Sequence, residues 1–249
     1  MNQRNNLTSD CTFKYILVGD ASVGKTKISY RFRTDKFDND YQVTLNVEFT
    51  NHIIVVDDFN VNIELWDTSG DKNFRAIQKG YYKSSVCALV VYDITQKSSF
   101  DNAKDWLDQC KDNGNPSETL ILVGNKCDLE KQRAVPKEEA EEFAKNNNML
   151  FYETSALTGV NIQKMFQDSA KKIIANASKD VYNLSDEDCG IKVKKTFMEK
   201  IKKNKPIPPI PEPDPDPNPC DSCKSCCRCY LIKMFLVNIL IITYFYFIN

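Results

Sequence analysis

GDASVGKT, residues 19–26, follows directly on the apolar run FKYILV of residues 13–18 and leads into KISYRFR. The eight residues fit G-x-x-x-x-G-K-[ST]. That pattern is informative when a strand-like run precedes it and a helix-compatible run follows, as here. In this setting a glycine-rich turn aims the unpaired N–H groups of a helix N-terminus at an anion. The backbone of Ala21, Ser22, Val23 and Gly24 then wraps a polyphosphate, Lys25 reaches its β and γ groups, and the Thr26 hydroxyl ligates Mg²⁺.

Outward from this loop, residues 13–175 alternate short apolar runs with amphipathic segments, the pattern of an α/β domain with a largely parallel sheet. Strands are predicted at 13–19, 48–56, 61–66, 86–92, 119–124 and 149–153, and helices near 25–33, 74–83, 98–112, 136–146 and 159–176. The polar DDFN, Asp57 to Asn60, joins the second and third strands as an antiparallel hairpin, whereas helix-length segments separate the others. The last helix places Val160, Ile162, Met165, Phe166, Ala170, Ile173 and Ile174 on one apolar side. The expected fold is a six-stranded, doubly wound, mostly parallel sheet with one antiparallel hairpin. About five helices flank it, with ligand loops at the carboxyl ends of the strands.

The chain has 249 residues, 42% of them hydrophobic, and a formal charge of −1. Such a balance gives no reason to expect a nucleic-acid partner. Met1 to Cys11 is polar, with no apolar signal segment and no glycine after Met1 for myristoylation, so the folded part is expected in the cytosol. Cys11, Cys87, Cys110 and Cys127 lack metal-ligand or disulfide spacing and read as reduced thiols. The single histidine, His52, excludes His-based triads and His-rich metal sites, and reads as a residue on a strand face.

Three more segments fall at predicted strand ends. DTSG places Asp67 for the Mg²⁺ shell and lets Gly70 offer a backbone N–H to a γ-phosphate. In NKCD the Asp128 carboxylate suits the N1–H and exocyclic amine of guanine, with Asn125 and Lys126 bracing the pocket. In TSAL the backbone from Ser155 through Ala156 to Leu157 suits the guanine O6. Alone, N-K-x-D is often only a polar turn. About a hundred residues after a P-loop, with DxxG between, it carries weight. A P-loop kinase or transporter ATPase is disfavoured by NKCD and by the lack of an acceptor-substrate domain.

Over residues 11 to about 180 the chain resembles the Ras-like small GTPases, and within them the Rab family. The motifs are FKYILVGDASVGKT, EFT, WDTSG, YYKSS, VYDIT, GNKCDL and ETSAL. The resemblance implies a P-loop NTPase fold of the small GTPase type, bound GTP or GDP with Mg²⁺, and hydrolysis of GTP to GDP. It also implies an exchange factor and an activating protein as partners. Phe37 matches the aromatic that packs on guanine, and Tyr41 the tyrosine that closes over the phosphates. Thr44 matches the switch I threonine that ligates Mg²⁺ and senses the γ-phosphate. Lys25, Thr44, Gly70 and Asp71 fall at catalytic positions, and Thr26, Thr44 and Asp67 at metal positions. Phe49, Trp66 and Tyr81 match the aromatic triad offered to effectors; the plain alternative is ordinary core aromatics.

Four positions depart from the family. Asp71 stands where a glutamine orients the attacking water, and its shorter, anionic side chain implies slow hydrolysis. Lys72 replaces an acid, Asn46 a glycine and Ser69 an alanine. A GTP-binding scaffold without useful hydrolysis is therefore the alternative to a slow GTPase.

The expected organisation is a disordered N-terminus at 1–10, the GTPase domain at 11–180 and a disordered linker at 181–219. KVKKTFMEKIKKNK, 192–205, has seven lysines and one glutamate, suited to an anionic membrane or to plain solvation. PIPPIPEPDPDPNP, 206–219, has eight prolines in fourteen residues and reads as a semi-rigid spacer of about 43 Å. Residues 220–229, CDSCKSCCRC, suit S-acylation better than zinc, because no loop separates cysteine pairs. Residues 230–249 carry one charge and are long enough to span a bilayer. Two attachments stay open. One is a C-terminal anchor at 230–249; the other is prenylation of Cys227 and Cys229, with the last twenty residues as translated downstream sequence. Either puts the domain on the cytosolic face of an endomembrane, held through its C-terminus.

Overall fold

The computed structural model describes residues 8–38, 44, 47–71, 75–115 and 118–204. The elements in chain order are β1 (Cys11–Val18), α1 (Lys25–Thr34), β2 (Val47–Val56), β3 (Phe59–Thr68), α2 (Arg75–Tyr82), β4 (Cys87–Asp93) and α3 (Lys97–Asp101). They continue with α4 (Ala103–Asn113), β5 (Thr119–Asn125), α5 (Lys137–Asn146), β6 (Leu150–Glu153), α6 (Ile162–Ser178), β7 (Ile191–Val193) and α7 (Lys195–Asn204).

The sheet runs β2-β3-β1-β4-β5-β6. β1 pairs in parallel with β3 and β4, β4 with β5, and β5 with β6, while β2 and β3 form the expected antiparallel hairpin. β4 reads CALVVYD and is buried at every position, as a central strand covered on both faces requires. β2 is exposed at Glu48, Phe49, Asn51, Ile53 and Val55, because it lies at the sheet edge.

Two apolar layers flank the sheet. On one face Ile28 and Phe32 of α1 and Met165, Phe166 and Ile173 of α6 cover Tyr15, Leu17 and Ile63, with Phe32 and Phe166 stacked. On the other, Trp106 of α4 and Ala140 and Ala144 of α5 cover Ile16, Val18, Val90 and Leu122. The helix predicted at 98–112 is two helices meeting at Asn102, whose side chain donates to Asp20 Oδ2 at 2.7 Å. The stripe predicted for the last helix is buried from Ile162 onward. Val160 is left exposed in the preceding turn.

The linker expected from residue 181 begins later. β4 pairs with β1 only from Tyr15, which leaves Cys11 to Phe13 open on that side. β7 fills the gap antiparallel, with Phe13 opposite Ile191, so the sheet has seven strands rather than six. α7 follows and buries Phe197 and Ile201 against the sheet; Phe197 meets Phe13 edge-on and packs at a tilt on Phe59. Lys200 Nζ reaches Asp10 Oδ2 at 2.7 Å and Asp58 O at 2.6 Å. Burial of a phenylalanine and an isoleucine, at about 1.5–3 kcal/mol each, holds this lysine-rich segment in place. Among the described residues no helix is long and apolar enough to cross a membrane. Residues 1–7 and 205–249, with the proline-rich, cysteine-rich and apolar segments, lie outside the described residues.

Candidate functional site

The loops after β1, β3, β5 and β6 converge at the carboxyl end of the sheet. Between β1 and α1, Ser22 takes φ 65° and Gly24 φ 99°. A Cβ on Gly24 would lie 2.3 Å from Asn125 Nδ2, so this turn requires glycine twice over, for its backbone angle and for its closeness to Asn125. Asn125 in turn donates to Val23 O at 2.8 Å and fastens the phosphate loop to the end of β5.

A cavity of about 740 Å³ opens in front of this loop. Asp20 to Ser22, Gly24 to Lys27, Thr44, Thr68 to Asp71 and Lys126 line it. Lys25 is 6% exposed and donates to Gly19 O and Asp20 O, both at 2.8 Å. Burial pushes its ammonium down to about 8, against the pull of Asp67 and Asp20. Gly70 presses on the phosphate loop: a Cβ there would lie 2.2 Å from the Ala21 N. Asp71 is exposed at the rim, and its N–H donates to Ser69 Oγ at 3.3 Å.

Thr26, Thr44 and Asp67 meet, although 41 residues separate the first and last. Thr26 Oγ1 lies 2.8 Å from Thr44 Oγ1 and donates to Asp67 Oδ2 at 2.5 Å. Asp67 is 1% exposed, and its Oδ1 has no hydrogen-bond partner among the described residues. Burial raises its carboxyl to about 6, opposed by Thr26 and Lys25. Two hydroxyls and one carboxylate with an orphaned oxygen form a hard-oxygen donor set of the kind that holds Mg²⁺ beside phosphates.

The residues predicted for base recognition assemble next to this cavity, with Lys126 in its wall. Ser155 Oγ donates to Asp128 Oδ1 at 2.5 Å, and Asn125 Oδ1 accepts from Ala156 N at 3.3 Å. Lys126, at φ 65°, pairs with buried Asp93 at 2.6 Å. Phe37 is half-buried against the core, with Lys27 Nζ 6.0 Å from its ring centre. Tyr41, Asn46 and Lys72 lie outside the described residues.

Phe49, Trp66 and Tyr81 form a continuous row, with ring centres 5.1 and 5.5 Å apart. Phe49 is 47% exposed, which removes it from the core. His52 sits edge-on to Phe32 on the opposite face of the hairpin.

Residues 14–175 match the Ras family. Over 186 residues the chain is 38% identical to the Ras-related protein Rab-2B of Dictyostelium discoideum, covering 75% of this chain and 92% of that protein. The chain is a Rab-like member of the Ras family of small GTPases. The Ras-family match ends at 175, so β7 and α7 of this GTPase lie beyond that family's domain.

Several supporting residues of this Rab-like GTPase escape a motif search. Asn102 and Trp106 hold the Asp20 carboxylate at 2.7 and 2.8 Å. Gln78, 1% exposed, donates to Ser69 O at 2.8 Å and so fixes the peptide that carries the Gly70 N–H. Arg31 reaches the loop after β6. Gln78 acts over nine residues, and Asn102, Trp106 and Arg31 over more than eighty, so no local spacing reveals them.

Proposed function

We propose that this GTPase is a guanine-nucleotide switch that hydrolyses GTP slowly and recruits effectors on the cytosolic face of an endomembrane for vesicle trafficking. The observation that carries the reading is the meeting of Thr44 with Thr26 and Asp67 beside Lys25 and Gly70. Thr44, from the TLNVEF segment, and Gly70, from the DTSG segment, the two switches implied by the family, thereby line the same cavity as Lys25. GTP contributes the γ-phosphate that Gly70 N–H, Thr44 and Lys25 address, and its removal releases both segments. Thr26, Thr44 and Asp67 would hold Mg²⁺, which when bound neutralises charge on the β and γ phosphates. Asp128 discriminates guanine, and the Phe49–Trp66–Tyr81 row, exposed at Phe49 and half-buried at Trp66 and Tyr81, supplies the effector face. An exchange factor and an activating protein would reset the switch, and the C-terminal residues 220–249 would attach it to the membrane.

In hydrolysis a water attacks the γ-phosphorus and the bond to the β-phosphate oxygen breaks. Asp71 stands at the rim where the family holds a neutral amide. Its carboxylate donates no hydrogen bond and places negative charge beside an anionic phosphate. Single-turnover hydrolysis by the unmodified chain should be at least about tenfold slower than by Asp71→Gln, or about 1.4 kcal/mol in the barrier. An unmodified rate equal to or above that of the variant would refute this. The same exposed carboxylate favours a second reading, a GTP-bound scaffold with impaired hydrolysis. Turnover that stays negligible with every activating protein tried would favour the scaffold.

A further inference from the structure

Arg31 lies half-buried on α1, and its guanidinium is hydrogen-bonded to the loop after β6 and to the end of its own helix. Its Nε donates to Ala156 O at 2.7 Å, its Nη2 donates to Leu157 O, and its Nη1 donates to Asp35 O at 2.8 Å. We propose that Arg31 is a positioning residue for base recognition: by holding the Ala156 and Leu157 carbonyls it turns the Leu157 N–H toward the guanine O6. The inference rests on the guanine reading above and assigns a residue that no guanine-contacting motif contains.

The argument follows from the planar trans peptide, in which C=O and N–H point to opposite sides. The chain has no cis peptide among the described residues. With Ala156 O on Arg31, the Leu157 N–H points away from Arg31; with Leu157 O on Arg31, so does the Thr158 N–H. The second of these shows where that side lies. Thr158 N–H donates to Ser155 Oγ at 3.0 Å, and Ser155 Oγ donates to Asp128 Oδ1 at 2.5 Å. The side away from Arg31 is therefore the Asp128 side. The Leu157 N–H is directed there and makes no hydrogen bond among the described residues.

A lone N–H beside a carboxylate complements guanine, whose O6 accepts next to its N1–H donor, and meets a donor in the exocyclic amine of adenine. Leu157 does not anchor this peptide through its own side chain, which is 49% exposed. The rigid guanidinium fork does so instead, reaching two successive carbonyls at once, a geometry the single ammonium of lysine lacks.

The test uses the full-length protein and the dissociation of three nucleotides: GDP, inosine diphosphate, which keeps O6 but lacks the 2-amino group, and 2-aminopurine riboside diphosphate, which lacks O6. Arg31→Met should release GDP and inosine diphosphate about tenfold faster, the loss expected for one misaligned hydrogen bond. Release of the 2-aminopurine nucleotide should stay within about twofold of the unmodified protein. Arg31→Lys should fall between, and it keeps the test open if the methionine variant does not fold. Equal acceleration for all three nucleotides, or none, would overturn the proposal by making Arg31 a general support or a bystander. Loss of the underlying guanine reading would show separately, as unmodified protein that holds ADP as tightly as GDP.

Discussion

At the carboxyl end of the sheet, Lys25, Asp67, Asp93 and Asn125 are polar groups with at most 6% exposure. At the opposite end, the groups buried under α7 are Phe13, Phe59, Phe197 and Ile201. Buried polar groups cost free energy until they are paired. At the first end Lys25, Asp93 and Asn125 are paired within the protein, and Asp67 Oδ1 has no partner among the described residues, which fits completion by a ligand as proposed. The second end is completed by the chain itself. Binding and stability should thus be separable, with binding sensitive at one end and stability at the other.

The largest expected effect falls at the β7–α7 end. Phe197→Ala should lower unfolding free energy by about 3–5 kcal/mol, the usual loss for a fully buried phenylalanine. Guanine-nucleotide affinity of the folded fraction should be unchanged. Denaturant unfolding alongside nucleotide titration checks both, and a variant as stable as its parent would erase the contrast.

Lys25→Met should do the reverse. Triphosphate affinity should fall at least a hundredfold, about 2.7 kcal/mol, while the nucleotide-free protein melts no lower than its parent, because burial disfavours the Lys25 ammonium. A loss of ligand-free stability as large as that of Phe197→Ala would mean that the lysine supports the fold.

The smallest effect belongs to the one titratable group that breaks the symmetry, Glu118. It lies before β5, away from the site, and burial raises its carboxyl to about 8 from an ordinary value near 4.5, opposed by Ser85 and Lys14. Ser85 has one hydroxyl hydrogen and two acceptor neighbours, Tyr82 O at 2.6 Å and Glu118. A protonated Glu118 supplies the second hydrogen. The folded state holds a proton that the unfolded state releases, so its stabilising effect is complete below about 4.5 and is lost as pH rises toward 8. Glu118→Gln should match the parent near pH 4.5 and exceed it by about 1–2 kcal/mol at pH 8, after discounting for partial exposure. Melting curves at the two pH values check the sign.

The site was more legible in the sequence than the far end of the fold. Phosphate binding depends on local backbone geometry, so GDASVGKT, DTSG and NKCD are short and self-announcing. The first follows β1, while β3 runs on through Asp67 and Thr68 and β5 through Asn125, one or two residues beyond the expected ends. β7 and α7 were read as linker because seven lysines dominate residues 192–205. The available signal was slight: Phe197 and Ile201 one helical turn apart, and three residues of strand. Their burial depends on a gap beside β1 that exists only because β4 starts late, a fact of strand register. Arg31 was invisible for a related reason: its partners lie 125 and 126 residues away.

The docking of β7 and α7 also shortens a leash. The chain leaves α7 at Asn204, so fifteen residues precede Cys220, where a boundary at 180 would leave thirty-nine. At about 3.3–3.6 Å per residue, the maximum reach falls from about 135 Å to about 50 Å. For a domain attached through its C-terminal end, as proposed, the volume it sweeps above the surface shrinks roughly twentyfold. A partner bound to the same surface within that reach is then met at a correspondingly higher effective concentration.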